Sequence, residues 1–570
     1  MKNRILNITK SCFIAILIVL SGCDQNEFLT KVNPNSISQD IFWKTESDAM
    51  GGLTTVYAAL QFQGVGGGEA VTEMVKTDLG GTNSFVGKTN YITEFNINDN
   101  SPMVTQIWSE LYIGIFRANQ VIEQVALMTD VLEQELIDEI VAEAKFLRAF
   151  FYFQIAHTYG QGVITTSAEG TPETIYIGLS TKEEITEQII KPDLMAAIDV
   201  LPQERDDVDK HRVTWGAAKS LLGKVYLYEE EWELAAIEFE EVIGTGLYSL
   251  VPDREANFRD DDPFNSESIF EVAFNGTINP GATNASIVDD TEFNSGSESS
   301  TLARWFAPYF YQAWQVVIPT YSFHELMAAD SISGSSDHSS RYRLTLAAPD
   351  SPDQYYQRDA DEHPDRIWGN VESSYVRKYT NAYHQEDEGD QWRTSINFKF
   401  IRYADVLLMC AEAVLEGRGD IDAAIGYIDQ VRTQAGVVTL DSYRASSSDQ
   451  IPELHKSAEL YGPRPYVNVT VESIRTHLRR VERPTELAYE NHRWKDLVRW
   501  GIVKEVFDEQ RQVEIDRLAL PRDANRPPLF IKGDNALRED FAPKAANYNS
   551  EAHDYLPVPN GEVENNTEVN

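Results

Sequence analysis

Cysteine is nearly absent from this chain, which has only Cys12, Cys23 and Cys410 among its 570 residues. Cys12 lies in a short apolar leader and Cys23 directly after it, so only Cys410 remains inside the folded protein. A disulfide needs two cysteines, which excludes a fold held together by internal disulfide bonds. Cys410 lies in an apolar helical segment, and we expect a small core residue rather than a reactive nucleophile.

Long apolar runs are also lacking. The run from Cys12 to Leu20 is too short to span a bilayer stably, and no later stretch is long enough. It follows a basic start and precedes the sequence LSGC, in which small residues come directly before Cys23. This pattern predicts a bacterial lipoprotein signal over residues 1–22, with Cys23 as the acylated N-terminus and the lipid as the only anchor. The alternative is an ordinary secretory peptide in which Cys23 is incidental.

Positive charge is scarce. The chain has 49 Lys and Arg residues against 90 Asp and Glu residues, a net charge of −41. Residues 1–22 contain three basic residues and no acidic one, so the mature chain has −41 − 3 = −44. This balance argues against a nucleic-acid-binding protein, which needs a basic surface. It also favours a neutral ligand over a polyanion, unless a local basic pocket overrides the average.

Recognisable catalytic motifs are missing as well. There is no G-x-S-x-G, His324-Glu325 lacks the second His of a zinc protease, and Thr82 stands where a phosphate loop ending at Thr89 needs its first Gly. The acidic residues are too numerous to exclude a glycosidase pair, but no motif singles one out. Asp260-Asp261-Asp262 could hold calcium, although the spacing lacks a Gly turn and a solvated acidic loop is the simpler interpretation. We therefore expect no catalytic residue, no metal and no cofactor.

What the chain does have is three segments in which charges interrupt dense apolar and aromatic sequence. They are Ala142–Phe153 (AEAKFLRAFFYF), Arg402–Ala413 (RYADVLLMCAEA) and Glu486–Trp500 (ELAYENHRWKDLVRW). Charges inside a protein are unfavourable unless they are paired. Three helices that bury Arg and Glu beside aromatic rings predict one shared polar and aromatic core.

Apolar periodicity predicts helices over much of the chain. The predicted helices are Glu46–Gln61 with Ser47 as a candidate N-cap, Gln106–Met128, Glu133–Tyr159, Ser180–Leu201, Thr214–Glu230 and Trp232–Thr245. The last two have small and aromatic residues at tetratricopeptide-repeat offsets, and Arg402–Gly436 is a looser copy. We expect a mainly α fold in which tetratricopeptide-like helix pairs form a scaffold for a loop-rich, irregular ligand-binding region.

The irregular region has three parts. Gly64 to Ser101 is rich in Gly, Asn and Thr, Asn275 to Ser300 is polar, and Pro349 to Thr394 is long and contains several aromatic residues. Between the last two lies Thr301 to Tyr321, which is unusually aromatic. Loops this long inside a compact domain are usually functional or disordered, and their aromatic content argues against disorder.

Taken in order, short motifs along the chain resemble the SusD/RagB-like glycan-binding lipoproteins of Bacteroidetes. The resemblance covers nearly the whole mature chain. The motifs are Glu27-Phe28-Leu29, Phe42-Trp43-Lys44-Thr45, Trp108 with Tyr112 and Arg117-Ala118-Asn119, Ala142–Phe153 followed by His157-Thr158-Tyr159-Gly160, Glu267–Glu271, Arg402-Tyr403-Ala404-Asp405, Glu482–Trp500 and Tyr555–Pro559.

The resemblance implies a protein that is not an enzyme, lies lipid-anchored on the outer membrane at the cell surface and passes captured glycan to a SusC-like TonB-dependent transporter. It implies a lipidated tether over 23–40 and a single domain over 41–570, with loop-rich insertions at about 64–101 and 275–395. The acidity favours a neutral glucan, either a laminarin-like β-glucan or an α-glucan. The alternatives are a surface glycoside hydrolase and a capture protein for a peptide or another nutrient.

Aromatic rings stack on the C–H faces of sugars, so aromatic residues outside the framework motifs are the expected ligand contacts. Trp305 and Tyr309 are four residues apart, and on a helix they would share a face that is either a stacking platform or a core stripe. The family does not fix ligand positions by motif, so the remaining candidates follow from their region. The expected glycan-binding residues are Trp305, Tyr309, Tyr311, Trp314, Trp368 and Trp392, with Asn83, Phe85 and Tyr91 in the loop after the first helix.

Overall fold

The computed structural model describes residues 42–68, 70–82, 90–169, 171, 173, 176–278, 298–330, 332, 337–348, 353–359, 362, 374–384, 394–520 and 541–569. The predicted signal, the lipidation site Cys23 and the tether therefore lie outside the described residues. Of the expected ligand contacts, Asn83, Phe85, Trp368 and Trp392 also lie outside them.

Helices dominate the described chain, as predicted. Their bounds are α1 Glu46–Ala58, α2 Asn90–Thr93, α3 Pro102–Val125, α4 Gln134–Tyr159, α5 Lys182–Ile185, α6 Lys191–Ile198, α7 Trp215–Tyr228, α8 Trp232–Gly244, α9 Leu302–Phe306, α10 Tyr321–Ala329, α11 Ser340–Thr345, α12 Tyr403–Arg418, α13 Ile421–Ala435, α14 Leu440–Ser446, α15 Ala458–Tyr461, α16 Val471–His477, α17 Arg483–Glu486, α18 Arg493–Arg499, α19 Val503–Leu518, α20 Phe541–Asn547, α21 Ser550–His553 and α22 Asn560–Asn565. A π-helical turn, Thr186–Ile190, joins α5 to α6 within the single helix predicted there.

Strands are short and pair in twos, all antiparallel. Their bounds are β1 Gly80–Thr82, β2 Gln161–Val163, β3 Leu179–Thr181, β4 Ser268–Val272, β5 Val317–Pro319, β6 Leu346–Ala347, β7 Tyr375–Val376, β8 Phe398–Arg402, β9 Gln450–Pro452 and β10 Tyr466–Asn468. The pairs are β1 with β5, β2 with β3, β4 with β8, β6 with β7 and β9 with β10. None of these two-stranded ribbons could be stable by itself, so each depends on the helices that it packs against.

The first helix begins with a capping box at Thr45, two residues before the predicted N-cap Ser47. The Thr45 hydroxyl accepts a hydrogen bond from the Asp48 amide at 3.2 Å, and the Asp48 carboxylate accepts one from the Thr45 amide at 2.8 Å. Both otherwise free donors at this helix end are thereby satisfied. Ser47 lies inside the first turn, so the prediction of Ser47 as the N-cap is wrong.

The two predicted helix pairs are present and lie side by side. In the pair α7–α8, Gly223 lets the helices approach, because a Cβ there would lie 2.7 Å from the Phe239 ring. The pair α12–α13 follows the looser repeat copy, and α12 packs directly on α8. A Cβ at Gly417 would lie 2.9 Å from Cβ of Trp232, so close contact between the pairs also depends on a glycine. The mainly α, repeat-like scaffold is confirmed.

Buried ion pairs join the second and third charged segments. Arg483 donates to Asp405 at 2.9 Å and to Asp496 at 2.8 Å, and Arg499 donates to Glu412 at 2.6 Å. Arg483, Asp405, Asp496 and Glu412 are almost completely buried, and the side chain of Arg499 is 8% exposed. Because each charge has an opposite partner and directed hydrogen bonds, the unfavourable desolvation is offset.

The first charged segment, Ala142–Phe153, packs its aromatic rings into the apolar core, and its Arg148 pairs with a residue outside the other two segments. The Phe150 ring lies 4.7 Å from the Phe400 ring and 5.2 Å from the Phe270 ring. Arg148 of the same helix instead donates to Asp193 on α6 at 2.7 Å. The prediction of one shared core therefore holds only in part, because Trp494 and Leu497 of the third segment pack in a separate apolar cluster and the charges form separate networks.

Cys410 is fully buried on α12. Burial raises the pKa of its thiol to about 12, so the thiol is protonated at neutral pH. A protonated, inaccessible thiol is a poor nucleophile, which agrees with the expected role as a core residue.

Candidate ligand-binding site

The aromatic segment forms a short helix, a turn and a strand. Helix α9 ends at Phe306, and Ala307 is extended with φ −66° and ψ 157°. Pro308 explains this end, because a residue before proline is excluded from the helical region. Tyr309 begins a single 3₁₀ turn after Pro308, so Trp305 and Tyr309 do not share a helix face. The spacing argument from four residues is therefore wrong.

Residues 304–316 form a closed loop, here called the aromatic loop. The Trp314 amide donates to the Arg304 carbonyl at 2.6 Å, and the Val316 amide donates to the Trp305 carbonyl at 2.7 Å. Gln312 has φ +61°, a left-handed conformation that is uncommon for a residue with a side chain. These features fix the loop before any ligand arrives.

Trp305 is a core residue and does not present its ring to a ligand. Only 3% of it is exposed, and its ring lies 5.2 Å from the Trp314 ring in an edge-to-face arrangement. A Cβ at Gly68 would lie 1.6 Å from the Trp305 indole nitrogen, so the chain packs against the indole without a side chain in between. Of the two interpretations offered for Trp305, the structure supports the core residue, which here holds Trp314 in place.

Trp314 is half-buried and lies beside a positive charge. The guanidinium carbon of Arg304 is 3.5 Å from the Trp314 ring centroid, within cation–π distance. Burial lowers the pKa of Arg304 to about 9, which still leaves the guanidinium charged at neutral pH. Its N–H groups can donate hydrogen bonds to the hydroxyl oxygens of a sugar.

The two tyrosines of the loop have opposite environments. Tyr309 lies at the tip and is 48% exposed. Tyr311 is buried against Tyr355 and Tyr356, with ring centroids 6.2 Å and 4.8 Å away. Tyr309 is therefore available for stacking, whereas the prediction of Tyr311 as a ligand contact fails because its ring is inside a cluster of tyrosines.

The loop after the first helix meets the aromatic segment through a strand pair. Residues 80–82 of β1 pair with residues 317–319 of β5. Tyr91, on α2 beyond that strand, is half-buried and packs against the main core. The pairing joins the two chain regions that were expected to share the ligand face.

Residues near the C-terminus anchor β1. Arg493 donates to Asp78 at 2.7 Å, and the Lys544 ammonium donates to the carbonyl oxygens of Thr77 and Gly80, both at 2.7 Å. These contacts were not predictable from the sequence, because the partners are more than 400 residues apart and no local pattern links them.

A hydrogen-bonded pair beside the aromatic loop was also missed. The Thr301 hydroxyl donates to the Gln63 side-chain oxygen at 2.7 Å, and the Gly68 amide donates to the same oxygen at 3.1 Å. Gln63 thus ties the chain around Gly68, which backs Trp305, to the start of α9. Neither residue lies in a motif, and only the folded chain brings them together.

The acidic triplet considered for calcium is engaged in other contacts. Asp261 accepts a hydrogen bond from Arg259 at 3.1 Å, and Asp260 lies 3.8 Å from the His384 ring nitrogen. Among the residues that the structure describes, no group of three or more His, Cys, Asp or Glu side chains has the arrangement of a metal site.

No helix within the described residues combines the length and apolarity needed to cross a membrane.

Comparison with known proteins places this geometry in a family. A family model described as the SusD family matches residues 267–570, and one described as starch-binding, associating with outer membrane, matches residues 27–227. SusD-like protein P2 of Formosa agariphila is 26% identical over 513 residues, which covers 87% of this chain and 92% of that protein.

Solved structures show the same fold. A SusD superfamily protein from Bacteroides vulgatus has a TM-score of 0.72 at 22% identity, covering 93% of this chain and 99% of that one. Surface glycan-binding protein A from Bacteroides thetaiotaomicron, solved in complex with laminarihexaose, has a TM-score of 0.65 at 18% identity, covering 92% and 98%. Because the first family model alone matches more than half of the chain, this protein belongs to the SusD family.

Proposed function

We propose that this protein is a cell-surface lipoprotein that binds a neutral glucan without cleaving it and delivers it to a SusC-like TonB-dependent transporter. The observation that carries the proposal is the aromatic loop, which holds Tyr309 and Trp314 at the surface of a rigid helical scaffold. Tyr309 is half-exposed, and the half-buried Trp314 contacts Arg304 and the buried Trp305. A pre-formed loop loses little conformational entropy on binding, which suits capture of a flexible polymer.

The charge of the protein supports a neutral polymer. The mature chain has a net charge of −44, which repels polyanions such as uronic-acid polymers. A relative of the same fold was solved with laminarihexaose, a neutral β-glucan fragment. A laminarin-like β-glucan is therefore our first candidate, and an α-glucan is the second.

The decisive measurement is binding of the soluble chain, starting after Cys23, to laminarin, amylose and alginate in native affinity gels. We expect retardation by one neutral glucan and none by alginate. Tyr309→Ala should reduce retardation, whereas Tyr466→Ala, which removes a comparably exposed tyrosine on β10, should not. Shorter products after incubation would show a hydrolase instead, and equal mobility in every gel would point to a peptide or another ligand.

The proposed anchor is tested separately in cells. Cys23→Ala should abolish incorporation of labelled fatty acid and release the protein from the outer-membrane fraction. Ser21→Ala, which keeps a small residue before the cysteine, is the matched control. Unchanged labelling of the Cys23→Ala protein would contradict lipidation at this site.

A further inference from the structure

A cavity that does not include any residue of the aromatic loop lies between α10, α15 and α19. Its volume is about 150 Å³. An engineered cavity of roughly that volume accepts a benzene molecule, so the space suits one six-membered ring. Most of the side chains that line it are polar, and they include Glu325, His455, Lys456, Arg464 and Glu509 beside the ring of Tyr461.

The charges that line this cavity balance. Arg464 Nη2 lies 3.6 Å from the Glu325 carboxylate, and the Lys456 ammonium lies 3.9 Å from Glu509. His455 also lines the cavity, and burial lowers its pKa to about 3, so this imidazole is neutral at pH 7. Two positive and two negative groups give no net charge, which favours an uncharged ligand with many hydrogen-bonding groups over an ion.

An exposed aromatic ring stands at this cavity. Tyr461 is 57% exposed, although its hydroxyl donates to Asp516 at 2.8 Å and so limits the rotation of the side chain. A fixed ring that remains open to solvent is suited to stacking on the apolar face of a sugar. It would lose little side-chain entropy on binding, because the Asp516 contact has already restricted it.

Two glutamine side chains, Gln510 and Gln512, line the cavity. A side-chain amide can both donate and accept hydrogen bonds, and so can a sugar hydroxyl. Amides of this kind therefore suit the hydroxyl groups of a hexose.

We infer that this cavity is a second carbohydrate subsite, which takes one neutral hexose ring stacked on Tyr461 and hydrogen-bonded to Gln510. The inference rests on the proposed function, because it assigns the second ring to the same polymer. Trp314 and Ser322 are eight residues apart, so their Cα atoms lie at most about 29 Å from each other. A glucan that contacts both sites would bind with a higher apparent affinity when its chain is long, because the second contact is linked to the first.

Another cavity, of about 290 Å³, does not have these properties. Arg205 and Arg212 line it, but both donate to the fully buried Glu143. Their guanidinium groups are already engaged in the fold, and the Tyr248 and Phe264 rings that line that space are half-buried, unlike Tyr461. The smaller cavity is therefore the better candidate.

The subsite is tested first without the polymer. Saturation-transfer NMR with millimolar glucose, galactose and mannose uses the full soluble chain and a variant carrying Tyr309→Ala and Trp314→Ala. That variant should still show transfer from at least one hexose, and adding Tyr461→Ala should abolish it. Tyr461→Phe keeps the ring and should retain the signal. Absence of transfer in the double variant, or transfer unaffected by Tyr461→Ala, overturns the inference.

The second experiment compares laminarin, a long chain, with laminaribiose, which has only two rings. Tyr461→Ala and Gln510→Met should each weaken laminarin binding fivefold or more, and both should leave the thermal midpoint unchanged because these side chains lie at the cavity. An unchanged laminarin affinity in both variants contradicts the inference. If wild-type protein binds a free hexose through Tyr461 but no glucan, the proposed polymer is wrong while the sugar subsite stands.

Discussion

The guanidinium of Arg304 lies 3.5 Å from the centre of the Trp314 ring, and the Trp314 amide donates back to the Arg304 carbonyl at 2.6 Å. The backbone hydrogen bond between these two residues closes the aromatic loop, and the Arg304 side chain lies against one side of the Trp314 ring. The ring that we assign to ligand stacking is therefore held in position before a glycan binds.

The first prediction concerns this ring. Trp314→Ala should weaken glucan binding by about 1–3 kcal/mol, the range found for aromatic stacking in other polymer-binding grooves. Trp314→Phe keeps an aromatic face and should retain most of the affinity. Isothermal titration with the glucan identified in the gels measures both, and equal affinities for wild type and Trp314→Ala would remove this residue from the site.

The second prediction separates Trp305 from Trp314. Trp305→Ala should lower the free energy of unfolding by about 3–5 kcal/mol, because it leaves a large cavity beside Gly68. Urea denaturation gives this value, and Trp314→Ala serves as the comparison because its ring is only half-buried. Should Trp305→Ala leave stability unchanged and abolish glycan binding, the ring would be a ligand contact after all.

The third prediction concerns the start of α1. Thr45→Ala removes the capping box and should destabilise the protein by about 1 kcal/mol. Ser47→Ala changes a neighbouring hydroxyl that makes no cap and should alter stability by less than about 0.5 kcal/mol. Chemical denaturation of the two variants side by side checks this, and a larger effect at Ser47 would restore the cap expected from the sequence.

The fourth prediction concerns acid stability. Burial acts to raise the pKa of Glu486, but Arg254, Arg402 and Arg341 outweigh it and hold this pKa well below the ordinary value. In the unfolded chain a glutamate has a pKa of about 4.3. The stabilisation is therefore present above about pH 4.3 and is lost as the pH falls towards the folded value.

Glu486→Gln tests this assignment. The variant should be less stable than wild type at pH 7 by about 3–5 kcal/mol, because three buried arginines lose their shared partner. Below pH 5 its stability should fall less steeply than that of wild type, as urea midpoints between pH 3 and pH 7 would show. Parallel curves for the two proteins would mean that Glu486 has an ordinary pKa.

Much of the fold was predictable because it is encoded locally. Helix α4 begins at Gln134 and the predicted helix at Glu133, and both end at Tyr159. The helix pair α7–α8 was predicted from small and aromatic residues at repeat offsets, and Gly223 and Phe239 are two such residues that lie close together in the structure. The pairing of buried charges was only partly predictable. Arg148 and Arg483 both lie in helical segments rich in apolar residues, but Arg148 pairs with Asp193 and Arg483 with Asp405.

The candidate site was harder to predict because its geometry depends on single residues and on tertiary contacts. Pro308 ends the helix between Trp305 and Tyr309. The sequence shows this proline, but the prediction relied on the four-residue spacing instead. The cavity lined by Tyr461 had no such signal in the sequence. Tyr461 and Gln510 come from helices about 50 residues apart, and neither residue lies in a recognisable motif.

The anchoring of β1 has a consequence for biosynthesis. Ribosomes make the chain from the N-terminus, and Lys544, which donates to the carbonyl groups of Thr77 and Gly80, emerges more than 460 residues after them. Arg493 emerges 415 residues after its partner Asp78. The strand that supports the aromatic loop is therefore made long before its anchors, so a product truncated ahead of Arg493 would lack a finished binding face.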